Sequence, residues 1–357
     1  MKILDLYILK KFLSAFFFVV LILVAIICVI DFTEKNDDFI KHNLDASQIM
    51  GYYITFIPFI ANLITPITVF IATVFVTAKL AGHTEIVAML SSGISFPRLM
   101  VPYMMGAIII AITSFVLTGW IIPNSNKTRI QFEMDYVNKP FYFSERDIHI
   151  QEGPNTYLYM QDYNNMANVG SRFTLETIEN KQLKEKFSAR KIEWNEEEKK
   201  WMVEKWTLRT IDGFNETITS GEKMDTVLNI NPSDFGNTKY LEQALTLNEL
   251  NDYIERLQSR GSSNVKLYQI EKYARYMSPF AAIILTFIGL TVSSRKTRGG
   301  AGFQIALGFF IAFIFIVFYI LSKNVAQSSN INPILGIWIP NIFFSLVGFI
   351  MYKTVPR

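Results

Sequence analysis

The sequence contains few of the residues that build disulfides and metal sites. Its 357 residues include one cysteine, Cys28, and three histidines, His42, His83 and His149. A single cysteine excludes an internal disulfide, and the scattered histidines lack the spacing of a metal site. Only 18% of the residues are charged, and the formal net charge of +3 is too small to indicate a nucleic-acid-binding protein.

Motifs for catalysis and nucleotide binding are also absent from the sequence. It has no GxxxxGK[ST] phosphate-binding loop, no GxSxG turn, no HExxH helix and no paired-cysteine motif. We therefore predict no catalytic residue, no bound metal and no cofactor held by this chain. If the protein performs work driven by ATP, the nucleotide must be bound by a partner ATPase.

Long apolar runs are what the sequence has instead. Half of the residues are apolar, 30 of them phenylalanines, and most charges fall between residues 124 and 272. A membrane-spanning helix needs about 20 apolar residues. Two prolines, Pro58 and Pro66, fall in the second such run, and we interpret them as a kink in one span rather than a break. The six predicted spans are about 12–32, 52–78, 99–122, 275–293, 302–323 and 333–352.

The first apolar run also needs to be distinguished from a signal peptide. From Phe12 to Ile30 it is longer than the apolar region of a typical signal peptide. No small-x-small cleavage site follows, because the next residues are Asp31, Phe32, Thr33 and Glu34. We therefore predict that this run is retained as the first span.

The distribution of basic residues predicts the orientation in the membrane. Cytoplasmic loops carry an excess of Lys and Arg. With the N-terminus inside, the inner segments carry ten such residues and the two short outer loops three. Both termini are therefore predicted to be cytoplasmic, and the large insert after the third span periplasmic. The inner residues are Lys2, Lys10, Lys11, Lys79, Arg98, Arg295, Lys296, Arg298, Lys353 and Arg357, and the outer ones Lys35, Lys41 and Lys323.

The insert has the pattern of a β domain. Short segments rich in aromatic and β-branched residues recur at roughly ten-residue spacing with polar turns, as in 157–160, 186–194 and 201–209. This pattern indicates an antiparallel sandwich or barrel, either purely structural or with a groove for an apolar ligand. A capping box at 246–249 then predicts an amphipathic helix as far as Gly261, and a further helix from near Val265 into the fourth span. The predicted domains are 1–123, 124–245, 246–272 and 273–357.

The segment between spans two and three has the features of a short helix at about 84–92. Thr84 can cap it, Glu85 lies in its first turn and Gly93 can end it. Ile86, Met89 and Leu90 then form a small apolar face. Such a segment is either a connector resting on the membrane or a coupling helix that inserts into a cytoplasmic ATPase.

Few ionisable residues lie near the apolar runs, and these are candidates for function because charge is costly in a bilayer. Asp31 and Glu34, followed by Lys35, lie at the outer end of span one. Glu271 and Arg275 lie at the outer end of span four. Their i,i+4 spacing predicts an ion pair along the helix, and a contact with a polar headgroup or a partner is the alternative.

Several short motifs, taken in order along the chain, resemble the permease family of the lipopolysaccharide-export ABC transporter, the LptF/LptG type. They cover nearly the whole sequence, and their order is more specific than any one of them. The matching segments are Asp5-Leu6-Tyr7-Ile8 at the start, Glu85 to Ser95, Trp120-Ile121-Ile122-Pro123, Trp201 to Gly213, Glu271 with Arg275 and Pro279, and Asn332-Pro333 with Trp338 and Asn341.

The resemblance implies a six-helix (3+3) membrane protein with a periplasmic β-jellyroll that receives lipid acyl chains. It implies that Glu85, Ile86, Met89, Leu90 and Gly93 couple to an ATPase dimer. It further implies a second permease subunit across a lateral gate formed by spans one and five, a periplasmic bridge protein, an inner-membrane bitopic partner and lipopolysaccharide as cargo. Asp31, Glu34, Lys35, Glu271 and Arg275 are the candidates for the gate or for headgroup contacts.

The chain departs from the family near the outer end of span one. The family often has a cationic residue there, whereas this sequence has Asp31 and Glu34, with Lys35 one position later. Because of this departure, the cation expected to contact the lipid headgroup is Arg275 or a residue of the partner subunit. Two other functions stay open: a permease of another lipid- or lipoprotein-release ABC system, and a non-transporting scaffold whose β domain binds a periplasmic partner.

Overall fold

The structure, a computed structural model, describes residues 3–137, 146–213, 215–228, 230, 232, 240–259, 264–294, 300–328 and 331–353. Lys2, Gly261, Arg295, Lys296, Arg298 and Arg357 of the sequence analysis lie outside these ranges. The helices are α1 Ile3–Lys41, α2 Ala46–Leu63, α3 Thr65–Gly82, α4 Glu85–Ser91, α5 Phe96–Val116, α6 Ile122–Tyr136, α7 Leu241–Ala244, α8 Leu247–Ser259, α9 Val265–Ser293, α10 Gly300–Ser328 and α11 Pro333–Lys353. The strands are β1 Arg146–Gln151, β2 Thr156–Asn164, β3 Val169–Glu179, β4 Gln182–Asn195, β5 Lys200–Asp212 and β6 Asn215–Thr226.

The predicted fold class is confirmed. Among the described residues, six helical stretches are long and apolar enough to cross a membrane, three before the strands and three after them. They are Ile3–Lys41, Thr65–Gly82, Phe96–Tyr136, Val265–Ser293, Ala306–Ser328 and Pro333–Lys353. The strands between them form one antiparallel sheet.

The second predicted span is interrupted at one residue, Ile64, through which helical hydrogen bonds continue, because its N–H donates to the Ile60 carbonyl and its carbonyl accepts from Thr68. The run divides at Ile64 into α2 and α3, and only α3 meets the length and hydropathy of a span. Pro66 lies in the first turn of α3, where its missing N–H costs nothing and its fixed φ favours a helix start. Pro58 lies inside α2. The second proline therefore starts a new helix, whereas the first is absorbed within one.

The β domain begins later than the predicted residue 124. A π-helical turn, Leu117–Ile121, precedes Pro123, and the helix continues through it to Tyr136. A π turn takes up one extra residue, so the proline shifts the hydrogen-bond register instead of ending the helix. The chain as far as Val137 belongs to the helical unit, and the strands belong to a second compact unit.

Close contacts between helices in the helical unit require glycine, as at Gly106 and Gly308. A Cβ on Gly106 of α5 would lie 2.5 Å from Phe12 Cδ1 of α1. A Cβ on Gly308 of α10 would clash with the ring of Phe70 of α3. Small residues let membrane helices approach closely, and dispersion between the packed side chains then stabilises the contact. Phe12 and Phe70 are fully buried in the same apolar core.

The β unit is an all-antiparallel sheet with the strand order β1 to β6. The described strands therefore follow one another as hairpins, without the Greek-key crossings of a strict jellyroll. The segments predicted at 157–160, 186–194 and 201–209 lie in β2, β4 and β5. Trp201 is fully buried in the sheet core, and its indole Nε1 donates to the carbonyl of Ile230 at 2.8 Å.

One row of residues across the sheet interrupts the simple inside–outside alternation. On β4 the core residues are Phe187 and Ala189, then Ile192, so two consecutive residues face outward between them. The same shift occurs on β2, β3 and β5, and three residues of the row have a left-handed φ of 47–55°. All positions in the row are polar, which keeps the extra outward residues in water. The row is Asp147, Gln161, Arg172, Arg190, Lys205 and Glu222.

Candidate functional site

Helix α4 forms where the sequence predicts it, but its first residue is capped differently. Thr84 adopts a left-handed conformation with φ 59° and makes no side-chain cap; its hydroxyl donates to the carbonyl of His83. At the other end Gly93 has φ 89°, which glycine adopts without strain. The N–H groups of Gly93 and Ile94 donate to the carbonyls of Leu90 and Met89, a Schellman motif that confirms the predicted stop.

The apolar face predicted on α4 is split between the core and the surface. Ile86 is buried in the apolar core of the helical unit, and Met89 packs against that core. Leu90 and Val87 are exposed. A direct contact of Ile86 with a partner is therefore excluded in this conformation, because its side chain already anchors the helix. The exposed part of this segment includes Val87, Leu90 and the following turn at Gly93.

Glu85 is tied to α1 rather than free. Tyr7 donates its hydroxyl proton to Glu85 Oε2 at 3.1 Å, and Lys11 Nζ lies 3.7 Å from Glu85 Oε1. Lys11 also donates to the Tyr7 hydroxyl and lies 4.1 Å from the centre of its ring. Tyr7 and Lys11 are one helical turn apart, so both reach Glu85 from the same face of α1.

A second ion pair ties the same end of α1 to α5. Arg98 donates to Asp5 Oδ2 at 2.7 Å, and the Asp5 side chain is buried. Arg98 lies in the first turn of α5, directly after the loop that follows α4. The N-terminal end of α1 therefore holds both ends of the α4 segment.

The other end of α1 carries a buried charge cluster. Lys35 Nζ lies 2.7 Å from Asp31 Oδ1 and 3.4 Å from Glu133 Oε1 of α6, and it also contacts the Tyr52 hydroxyl. Tyr52 and Arg129 each donate to the same Glu133 oxygen, at 2.9 and 3.3 Å. The cluster joins α1, α2 and α6 at one point.

This cluster explains the acidic departure noted in the sequence. Asp31 is the ion-pair partner of Lys35 and accepts a hydrogen bond from Tyr53 at 3.1 Å. Glu34 faces outward and is exposed. Lys35 is thus compensated within the chain by two carboxylates, which makes it a structural cation in this conformation.

Glu271 and Arg275 form the predicted ion pair, with Nε and Oε1 3.3 Å apart. Arg275 is buried and also donates to the carbonyl of Leu245 at 2.6 Å. Lys323 of α10 lies 2.9 Å from the other oxygen of Glu271. Among the described residues, one carboxylate therefore serves two cations.

These three charged residues line a cavity of about 340 Å³ in the helical unit. Apolar residues of α2, α3 and α10, such as Leu63, form much of the remaining wall. The hydroxyl of Ser278, on α9, is buried there and has no hydrogen-bond partner among the described residues. A pocket that is largely apolar, with a few convergent polar groups, suits an amphiphilic ligand.

Comparison with known proteins places this arrangement in one family. The profile of the family described as lipopolysaccharide export system permease LptF/LptG matches residues 6–354. The chain belongs to the LptF/LptG permease family. Among curated relatives, the lipopolysaccharide export system permease protein LptG of Escherichia coli K12 is 20% identical over 354 residues, covering 97% of this chain and 96% of the relative. LptG of Haemophilus influenzae Rd is 21% identical over 346 residues, covering 96% and 95%.

Membership in the LptF/LptG family makes the chain a transporter component and not a catalytic enzyme. The match spans both the helices and the strands, which counts against the alternative of a permease from another lipid- or lipoprotein-release system. The described residues contain no cluster of three or more His, Cys, Asp or Glu that could hold a metal ion.

Several residues that complete these clusters were not predicted from the sequence. They are partners far away in the chain: Tyr7 and Lys11 for Glu85, Glu133 for Lys35, and Lys323 for Glu271. Helical spacing could indicate that Tyr7 and Lys11 share a face. It could not indicate a partner 78 residues away, since that depends on how α1, α4 and α5 pack.

Proposed function

We propose that this chain is the LptG-type permease subunit of an ABC transporter that extracts lipopolysaccharide from the inner membrane. It passes the lipid through its β domain to a periplasmic bridge protein, with an inner-membrane bitopic partner completing the complex. The observation that carries the proposal is the family match across residues 6–354, which takes in the spans, the α4 segment and the whole sheet. The named LptG relatives support the LptG type.

The proposed setting is the bacterial inner membrane, with both termini in the cytoplasm and the β unit in the periplasm. The excess of basic residues in the predicted inner segments supports this orientation. It puts α4 on the cytoplasmic side, where an ATPase dimer binds and hydrolyses ATP. The exposed side chains of Val87 and Leu90 form the docking surface, and Glu85 holds that surface in place through α1.

A second permease subunit of the same family faces α1 and α10. In the apolar 18-residue stretch of each span, only 11% of the residues of α1 and 22% of those of α10 are buried within this chain, against 67% for α3. These two helices correspond to spans one and five of the expected lateral gate. We propose that they line the shared cavity, and that Arg275 with Lys323 supplies positive charge for a lipid headgroup.

Because Glu85 is proposed to couple the helices to the ATPase, reversal of its charge should abolish transport. Glu85→Lys brings a cation against Lys11 and is expected to abolish lipopolysaccharide release from proteoliposomes, while the protein still inserts in the membrane. Asp37→Lys, a matched reversal at an exposed position near the far end of α1, is expected to keep release. Full release by Glu85→Lys would contradict the proposed role.

Docking on α4 is tested by copurification of the ATPase. Leu90→Asp places a charge on the exposed apolar surface and is expected to abolish ATPase binding in mild detergent. Ile40→Asp, the same change at an exposed position near the other end of α1, leaves binding unchanged. If no ATPase accompanies the unaltered chain, the scaffold function is favoured instead.

A further inference from the structure

A second groove, separate from the cavity beside Arg275, lies between α1 and α3. It has a volume of about 580 Å³ and is open along one side. Its residues come from one face of α1 near the N-terminus and from the last two turns of α3. They include Lys10, Lys11, Ala15 and Phe18 of α1, with Phe75 and Lys79 of α3.

One end of the groove is strongly basic. It contains Lys10, Lys11 and Lys79, and no acidic residue is among the described residues that line it. Glu85 lies beside it but pairs with Lys11, so three positive charges face one negative charge at this end. Lys10 and Lys79 are exposed.

The rest of the groove is apolar and reaches into the membrane-spanning part of the chain. Phe18 and Phe75 are exposed, and they lie farther along the same helices than the lysines. At about 1.5 Å per residue, Phe18 lies on the order of 10 Å deeper than Lys11, and Phe75 roughly 6 Å deeper than Lys79. The groove therefore pairs a cationic mouth at the membrane interface with an apolar path into the hydrocarbon.

We propose that this groove binds an anionic phospholipid of the cytoplasmic leaflet. Its phosphodiester lies against Lys10, Lys11 and Lys79, and one acyl chain runs past Ala15 between Phe18 and Phe75. Charge complementarity selects an anionic headgroup, and basic pockets between membrane helices are suited to such lipids. The choice of leaflet rests on the orientation given under the proposed function, whereas the lipid chemistry rests on the groove alone.

Lys11 connects this lipid site to the coupling segment. The same ammonium group lines the groove and pairs with Glu85. A phosphate at the groove mouth competes with Glu85 for Lys11 and weakens one of the two contacts that Glu85 makes with α1. The bound lipid thereby loosens α4 while Tyr7 still holds it. The lipid composition of the leaflet would thus adjust the position of the docking surface.

The test is lipid selectivity of the purified full chain in phosphatidylcholine nanodiscs. Spin-labelled phosphatidylglycerol is expected to associate more tightly than spin-labelled phosphatidylcholine. Neutralising one interfacial lysine should lower this selectivity about fivefold, so Lys10→Gln with Lys79→Gln should lower it about 25-fold. Lys353→Gln removes a lysine at the end of α11, outside the groove, and is expected to leave selectivity unchanged.

Two further measurements distinguish a bound phospholipid from a bound phosphate ion. Phe18→Ser is expected to weaken the binding of both labelled lipids while phosphatidylglycerol keeps its advantage. Inorganic phosphate, at the same concentration as the anionic lipid, is expected not to displace the lipid. Equal selectivity of the double variant and the unaltered chain would overturn the proposal, as would displacement of the lipid by phosphate.

These measurements use neither lipopolysaccharide nor an ATPase, so their outcome is independent of the transport assay. Folding of each variant is checked by thermal unfolding in the same nanodiscs. If the double variant is unstable, phosphatidylglycerol titration of the unaltered chain at high salt replaces it. Loss of selectivity at high salt then supports the site, and selectivity that is insensitive to salt contradicts it.

Discussion

The two ends of α1 hold ion pairs of similar geometry in different surroundings. At the far end, the side chains of Lys35 and Glu133 are 16% and 15% exposed. Near the N-terminus, those of Lys11 and Glu85 are 35% and 31% exposed. The first set is shielded from solvent by α2 and α6, whereas the second lies at the edge of a groove.

This difference separates charges that hold the fold from charges that can change partners. A shielded cation that loses its carboxylate keeps the full cost of desolvation. A half-exposed pair contributes little and is screened by salt, so either member can turn to a new partner at small cost. The near end of α1 is therefore suited to coupling and lipid binding, and the far end to holding three helices together.

The largest expected effect is at Glu133, the carboxylate shared by Lys35, Arg129 and Tyr52. Glu133→Ala leaves two cations close together without their common partner and should destabilise the helical unit by about 3 kcal/mol. Thermal unfolding in mild detergent measures the change.

The matched control is Glu34→Ala, which removes an exposed carboxylate on the same side of the molecule. It should change stability by less than about 0.5 kcal/mol. If both variants unfold at the same temperature, the buried cluster does not stabilise the fold, and the contrast between the two ends of α1 is wrong.

The next effect is at Asp5, whose side chain is 7% exposed beside the 37% exposed Arg98. Asp5→Asn keeps a hydrogen-bond acceptor but removes the charge, and it should cost about 1–2 kcal/mol. Arg98→Met leaves the buried carboxylate without this partner. In the double variant the two costs should not add, because the second change removes a partner that is already lost. Additive costs would show that this pair does not couple α1 to α5.

The helices were predictable because hydrophobicity acts along the chain. Apolar runs of sufficient length located all six spans, and only the behaviour of proline was misjudged. Pro66 begins a helix, and Pro123 is passed by a π turn. Whether a proline kinks, starts or shifts a helix depends on which neighbouring groups satisfy the freed carbonyl, and that is a property of the packed structure.

The strands and the site were less predictable, because they depend on contacts between distant segments. The core side of β4 switches between Ala189 and Ile192, so strict alternation does not run the full length of the strand. Glu85 was identified from its place in a short helix, but its contacts with Tyr7 and Lys11 join segments that nothing local connects. The coupling and headgroup roles of the candidate residues stay predictions.

A smaller effect on stability is expected at Glu85. Glu85→Gln removes a half-exposed charge and should cost about 0.5 kcal/mol at low salt. The difference from the unaltered chain should disappear at high salt, where exposed pairs are screened. Thermal unfolding at two ionic strengths tests this, with Asp37→Asn as the control. An effect as large as that of Glu133→Ala, or one insensitive to salt, would show that the Lys11–Glu85 pair is shielded from solvent as the Lys35–Glu133 pair is.

The smallest effect is expected where the ion pairs are most exposed, in the β5–β6 hairpin. Arg209 Nε donates to Glu216 Oε2 at 3.1 Å, and both side chains are 43% exposed. The hydrogen bond from Arg209 lowers the pKa of Glu216, and that from Lys223 lowers the pKa of Glu204. A lowered pKa in the folded hairpin means that the unfolded hairpin binds more protons. The pairs therefore stabilise the folded hairpin above about pH 4.3, the usual pKa of Glu. This contribution is lost as the pH falls through the folded pKa.

Hydrogen exchange of the β6 amides, corrected for the intrinsic rate, should therefore show weaker protection as the pH falls below about 4.3. Glu216→Gln removes one titrating group and should flatten that dependence. Glu222→Gln, at an exposed position on the same strand, should leave it as it is. If the two variants lose protection in parallel with the unaltered chain, the exposed pairs make no measurable contribution. The contribution of ion pairs to stability, which is largest at Glu133, would then be zero in the hairpin.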